Sequence, residues 1–595
     1  MTVGRIRRLT LSPLLVAVAW PTLAAAQTVP PAGATPPTRE ELERAAPAPS
    51  ERDRAPALTV SGELERAPCP LADPQFAGIS FTLNQVQFNG LQGLSPDLLR
   101  EAYAGQIGQT LSIASVCEIR DRAATILRGQ GYLAAVQVPP QRIEGGVVTF
   151  DVLMARLVAI QVRGNAGRSE RVVAGYLDKI RNQSVFNIRD AERYLLLARD
   201  LPGLDVRLTL RPAGGAPGEV IGEVSVVHTP VEMDINLQNF GSRETGRFGG
   251  LARVQFNGLT GMGDRTTLGV FTTADFREQQ VVQAGHAFRV GKEGLTIGGD
   301  FTYAGTKPDI AAFNLRSETL VATLDASYPL LRSQAKNLFG SVGFDMVNQE
   351  VRFAGTPLTR DRLRVIYARL AYDSIDARSI ASTRGYSIVE PRWRAGGMVE
   401  LRQGLDIFGA RDCGAAFANC APPSPSLSRA EGDATAFVAR ASAAVEYRPM
   451  PTLAFILSPR AQYAPNPLLS YEEFSAGNYT TGRGFDPGAL TGDSGLGFQS
   501  EIRVGSIVPK SREGFAIQPF GFFDLGLAWN EDSAFAGRGA EHLYSAGGGI
   551  HAAYGDRARL DVTLAAPLNR TALQAKRGDM RLLVSLTAKL LPWNR

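Results

Sequence analysis

The residues whose types could do chemistry are few and far apart. The chain has four histidines: His228, His286, His542 and His551. None forms an HExxH pair, and no GxSxG nucleophile elbow occurs. His542 and His551 have no clear carboxylate partner in the sequence and read as surface or loop residues, not metal ligands. The four cysteines, Cys69, Cys117, Cys413 and Cys420, contain no CxxC pair, which argues against a zinc site built from all of them. No nucleotide-binding loop is present. The expectation is a protein without a catalytic centre, a metal or a cofactor.

One stretch is more informative. From Tyr479 to Glu501 the chain reads Tyr-Thr-Thr-Gly-Arg-Gly-Phe-Asp-Pro-Gly-Ala-Leu-Thr-Gly-Asp-Ser-Gly-Leu-Gly-Phe-Gln-Ser-Glu. Most of it is too polar and glycine-rich for a buried strand, so it reads as a long loop running into the next strand. Gly482 and Gly484 flank Arg483 and let the backbone bend tightly against a wall. A second motif, Phe522-Phe523-Asp524-Leu525-Gly526, lies in a strand-like segment that begins near 515. The guanidinium fork of Arg suits a bidentate contact with a carboxylate. The residues alone leave two readings open. Arg483 folds inward and pairs with Asp524, or Arg483 is exposed on an outer loop while Asp524 faces water.

The elements that must position these residues follow from the rest of the chain. Arg5, Arg7 and Arg8, the short apolar stretch Leu9–Ala19 and the small residues Ala24-Ala25-Ala26 predict a secretory signal peptide over 1–26. Export implies an oxidising compartment. Four cysteines allow three connectivities; the favoured hypothesis joins Cys413 to Cys420 within a small loop and Cys69 to Cys117. Residues 27–75 are rich in Pro, Ala, Glu and Arg and read as a linker. Within it Thr38 precedes Glu41 by three residues, a capping-box pattern that predicts a short helix over 38–45. By itself this reads as a transient helix in a solvated tail.

Two similar units follow. In 76–155 a strand over Phe81–Phe88 leads to a helix capped by Ser95-Pro96. A second helix carries Val116, Ile119, Ala123, Ile126 and Leu127 at helical spacing, and strands over 134–138 and 147–157 close the unit. In 156–230 the order repeats: a strand over 157–162, helices over 169–182 and 188–201, and strands over 205–211 and 219–228.

From 231 to 595 two-residue alternation replaces the helical period. In 557–565, Ala558, Leu560, Val562 and Leu564 alternate with Arg557, Arg559, Asp561 and Thr563. Such a strand suits lipid on one face and water on the other. About sixteen such segments begin near 231, 247, 264, 277, 293, 317, 335, 361, 385, 434, 451, 496, 515, 541, 557 and 579. An even number of antiparallel strands can close into a membrane barrel without leaving an unpaired edge in hydrocarbon. A soluble all-β domain is the alternative that periodicity leaves open. No stretch approaches the ~18 apolar residues of a spanning helix. The net charge of +5 comes without any basic run, so nucleic acid is not an expected partner.

In this order of parts, and in its motifs, the sequence resembles the transporters of two-partner secretion. These belong to the superfamily of outer-membrane barrels with periplasmic POTRA domains. Gly482-Arg483-Gly484-Phe485 is similar to the family's Val-Arg-Gly-Tyr loop motif, and Gly492-Asp493 falls in the segment that usually follows it. Phe522, Asp524 and Gly526 match its Phe-x-Asp-x-Gly wall motif. Gly482 in place of Val and Phe485 in place of Tyr are mild departures. The chain ends Leu-Leu-Pro-Trp-Asn-Arg where the family usually ends on an aromatic residue, so the closing strand is expected to stop near Leu591.

The resemblance implies a mainly β chain: two periplasmic POTRA domains, then a sixteen-stranded barrel with an inward-folded loop at about 468–495. It implies that Arg483 meets Asp524 in the lumen and that the helix at 38–45 can plug the pore. The implied partners are outer-membrane lipid and an unfolded exoprotein, an adhesin, haemolysin or toxin, bound by the POTRA domains and passed through the pore. The second expectation is an assembly factor of the same superfamily that inserts other barrels.

Overall fold

The computed structural model describes residues 37–44, 58–60, 69 and 71–592, the last with short gaps at 72, 77, 182, 311–313, 381–384, 412, 414–419, 421–423, 512, 534–538, 573 and 575. The predicted signal peptide and most of the predicted linker lie outside the described residues.

The first N-terminal unit is built on Val147–Met154, where Val148, Phe150, Val152 and Met154 are buried at every second position. This strand pairs in parallel with Gln85–Asn89 and antiparallel with Ala134–Gln137. Helix Ser115–Gly129 covers the sheet with Val116, Ile119, Ala123 and Leu127, all buried. The predicted helix after Ser95 is a 3-10 helix, Pro96–Ala102, with Ser95 Oγ accepting from the Asp97 amide at 3.3 Å. Glycines at 105 and 108 follow it closely, and so short a segment closes with i→i+3 bonds.

The second unit repeats the pattern with Arg156–Gly164, helices Glu170–Arg181 and Ile188–Arg199, and strands Leu204–Pro212 and Glu219–His228. Tyr176, Ile180, Leu195, Val206 and Leu208 form its core. Its sheet has a fourth strand from elsewhere in the chain. Leu58–Val60 pairs in parallel with Leu204–Pro212, in the register Leu58↔Leu208 to Val60↔Leu210.

The rest is a barrel of sixteen antiparallel strands among the described residues. It closes when the first strand, Val231–Gln238, pairs with the last, Arg581–Leu591. Closure satisfies the backbone groups that an open edge would leave bare. The strands differ in length: Val231–Gln238 has 8 residues, whereas Thr356–Ile375 has 20. Alternation sets the faces. Leu324, Val342, Ile366 and Leu370 point outward and are exposed, while Asp234 and Arg253 meet inside at 3.0 Å.

One end of the barrel sits on the second unit. The Arg332 guanidinium forks onto Asp200 at 2.7 and 2.8 Å, Lys179 pairs with Glu293 at 2.8 Å, and Arg168 donates to the Leu259 carbonyl at 2.8 Å. The opposite end carries the long connections 405–436 and 464–493. The second of these turns back into the lumen, where Phe474–Ala476 and Leu490–Gly492 pair as a small hairpin.

Candidate functional site

The wall of the site is strand Phe515–Trp529. Its burial alternates, so Phe522, Asp524 and Gly526 share the lumen face while Phe523 and Leu525 face out. The spacing Phe-x-Asp-x-Gly therefore places three inward residues in a row. The loop reaches this wall because glycine removes the obstruction. A Cβ on Gly484 would lie 2.6 Å from the Pro567 nitrogen, and Gly482 has φ +112° with Leu543 at 2.5 Å from the same hypothetical atom. Phe485, Phe474 and Leu490 pack with Ala528 and Leu543 of the wall, which fixes the loop by apolar burial.

At the tip the structure brings Arg483 and Asp524 together. Asp524 Oδ2 accepts from the Arg483 amide at 2.9 Å and from Nε at 3.0 Å, and Oδ1 accepts from Nη2 at 2.7 Å. Ser545 Oγ donates to Oδ2 at 3.2 Å. The remaining guanidinium nitrogen donates to Glu501, and the Phe522 ring lies 3.7 Å from the Arg483 carbon. The Asp524 side chain is fully buried, so its charge depends on these donors. Charge-assisted, bidentate contacts of this kind are the strong members of their class.

Other sequence-predicted residues are elsewhere. Asp493 lies at the loop base, where it accepts from the Leu468 and Glu531 amides at 2.7 Å and from Arg429 Nη2 at 3.0 Å. Arg429 also pairs with Glu473 at 3.1 Å and contacts Asp532, so it ties three loops together. A Cβ on Gly492 would come within 2.8 Å of the Trp529 carbonyl. Cys69 is bonded to Cys117 and Cys413 to Cys420. His542 and His551 share one strand, Glu541–Tyr554, and His551 is buried beside Asp561 and Glu501 rather than on the surface or a loop, because its carboxylate neighbours come from other strands.

The short helix Arg39–Arg44 is also inside the barrel, not in solvent. Thr38 caps it: its Oγ1 accepts from the Glu41 amide at 3.3 Å while its own amide donates to Glu41 at 2.7 Å. Leu42 is buried against Leu251, Phe271 and Val281. Glu40 pairs with Arg460 at 2.8 Å, and Gln283 donates to the Leu42 carbonyl at 3.3 Å. Arg39 approaches Glu472 at 3.9 Å. A cavity of about 210 Å³ remains beside the helix, lined by Glu41, Asp234, Arg253, Phe271 and Tyr479 among others.

Sequence reasoning missed the partners that hold these parts. Glu472 accepts from Arg402 at 2.8 Å and from Arg440, and Arg402 reaches Asp345 at 2.8 Å. The inward parity of Asp345, Arg402 and Arg440 could be read from the alternation, whereas Glu472 lies in a loop. Which of them meet depends on register between strands.

The comparisons agree with this architecture. The model of the haemolysin secretion/activation protein ShlB/FhaC/HecB matches residues 223–552, and that of the ShlB-type POTRA domain matches 81–154. The chain belongs to the ShlB/FhaC/HecB family. Members of this family are two-partner secretion transporters, which places the barrel in the outer membrane and the POTRA domain in the periplasm. The heme/hemopexin transporter protein HuxB of Haemophilus influenzae strain Rd is 22% identical over 533 residues, covering 86% of this chain and 88% of HuxB. For HuxB of strain 86-028NP the aligned part is 26% identical and spans 40% of that protein. Among solved structures, CdiB from Escherichia coli superposes with a TM-score of 0.68 at 16% identity, covering 86% of this chain and 91% of CdiB. CdiB from Acinetobacter baumannii gives 0.61 at 16% identity, covering 89% of this chain and 94% of that one. These two likenesses are of fold.

Proposed function

We propose that this family member captures an unfolded exoprotein in the periplasm with its two POTRA domains and exports it through the barrel lumen. The observation that carries the reading is the occupied lumen: a separate N-terminal helix, held by a handful of contacts, stops a pore otherwise lined by charge. A stopper of this kind suits a conduit that opens for a cargo.

Two further observations support it. The edge of Leu204–Pro212 already accepts an added strand, the chain's own Leu58–Val60, which is the geometry needed to bind an extended segment. The barrel seam is reinforced by side chains as well as backbone. Asn236 donates to Ser585 at 3.0 Å and Thr587 at 2.9 Å, and Asn239 bridges Leu582 and Val584 at 2.8 and 2.7 Å. A stitched seam favours passage along the lumen over release sideways into lipid, the route an assembly factor would need.

The test is quantitative proteomics of the culture medium and outer membrane in wild-type and deletion strains. The expected result is loss of one large secreted protein from the medium with other barrels unchanged. A joint fall of many barrels would replace this reading with the assembly role.

A further inference from the structure

The outer face of the three longest strands changes character toward the loop-bearing end. The strands are Leu315–Arg332, Lys336–Phe353 and Thr356–Ile375. Their register aligns outward residues in rows. Leu324, Phe344 and Ile366 form one row, and Ala322, Met346 and Arg364 the next. Above them come Leu320, Asn348 and Arg362, then Glu318, Glu350 and Arg360, with Arg316 opposite Arg352 at the rim. Arg362 stands four residues along the strand from Ile366, roughly 13 Å at the usual rise. The apolar belt thus gives way within one or two rows to a cationic band. In a membrane-spanning barrel that level is the headgroup layer of the outer leaflet.

The band holds more positive charge than it neutralises. Arg316 pairs with Glu318 at 3.1 Å, and Arg352 and Arg360 share Glu350 at 2.6 and 2.7 Å. Arg364 is oriented by carbonyls of Val347, Leu363 and Phe408 and by Asn348, at 2.7 to 3.3 Å, none of which carries charge. Arg362 is exposed and makes no ion pair among the described residues. The adjoining loop adds Arg411, which donates to the Arg360 carbonyl at 3.2 Å. Burial and then the neighbouring Arg360 and Arg362 charges hold the Arg411 guanidinium below its ordinary value, with Asp361 opposing. The same loop presents Phe408, 76% exposed, with its ring edge-on to Phe344 at 6.3 Å. Arginine forks beside bare aromatic and aliphatic surface match a ligand with phosphate at one end and acyl chains at the other.

We propose that this face binds the phosphate-bearing headgroup of the outer-leaflet glycolipid, with Arg362 and Arg352 as phosphate contacts and Phe408 against the acyl chains. The lipid occupies the outer wall, away from the lumen, so the site is independent of what passes through the pore.

The test uses the full chain purified in detergent, native mass spectrometry and diphosphoryl lipid A as the probe. Dephosphorylated lipid A and phosphatidylglycerol serve as controls. Wild type is expected to retain diphosphoryl lipid A over both controls. Arg352→Gln/Arg362→Gln is expected to weaken that binding about thirtyfold, from the ~1 kcal/mol that each of the two basic side chains contributes near an anionic surface. Arg362→Lys should recover part of the loss. Only folded monomer is read, so a lower yield of the variant does not enter. Equal retention of the dephosphorylated lipid, equal retention of phosphatidylglycerol, or unchanged binding by the double variant would each overturn the site.

Discussion

The inward loop and the N-terminal helix occupy the same lumen and are held there by different means. The loop is anchored by a buried carboxylate with four donors, by a shared apolar cluster with the wall, and by Asp493 at its base. Among the described contacts the helix has Leu42 inserted between apolar wall residues, Glu40 paired with Arg460, Arg39 near Glu472 and a hydrogen bond from Gln283. Six residues make a helix of about 9 Å, too short to be stable alone in water. The loop is therefore part of the folded wall. The helix, by contrast, is a separate element that the lumen stabilises.

Three substitutions and one deletion sharpen or break this contrast. The largest effect is expected from Asp524→Ala, which takes the bidentate partner from a buried guanidinium and leaves it Glu501 alone, at a cost of about 3 kcal/mol. Its barrel should lose the heat-resistant mobility of the folded form in gel electrophoresis at a lower temperature than wild type. A barrel as heat-resistant as wild type would mean the loop is no more integral than the helix. Arg483→Ala comes next. It should reduce export while the barrel stays inserted, measured as secreted against outer-membrane protein; normal export from a well-expressed variant removes the proposed loop role. Deleting 37–44 should shift the same heat transition far less than Asp524→Ala does, yet raise ion conductance in planar bilayers. Unaltered conductance would show that the helix does not stop the pore. The smallest effect belongs to Glu40→Gln, where the amide oxygen can still accept from Arg460 and only the charge of the buried carboxylate is lost, at about 1 kcal/mol. It should raise the frequency of open events a few-fold at most, and more at low salt than at high.

The sequence and the structure part company at identifiable points. Phe522, Asp524 and Gly526 could be placed on one face because a strand has period two, and the glycines around Arg483 marked a tight approach. Glu501 ends the same informative stretch, yet nothing local says that it reaches Arg483, since that contact depends on how two strands align. The helix at 39–44 was visible from its capping box, but its place was not. Thr38 and Glu41 specify a helix start in solvent as well as in a pore, and only Leu42 and Glu40 meeting distant strands decide between them. The same holds for Glu472, whose partners Arg402 and Arg440 lie on strands more than thirty residues away. The hidden information is pairing between remote segments, which periodicity within one segment does not contain.

The unequal strands have a consequence for how a chain would leave. A 20-residue strand runs roughly 66 Å and an 8-residue strand roughly 26 Å along their axes. The short strands and the long ones both reach the end that carries the second unit, so the difference in length falls at the loop-bearing end, on one side of the barrel. The mouth is cut obliquely, like the lip of a jug. On the export route proposed above, a polypeptide emerging there would meet a tall wall on one flank and a low rim on the other, and its first folded segment would be delivered sideways.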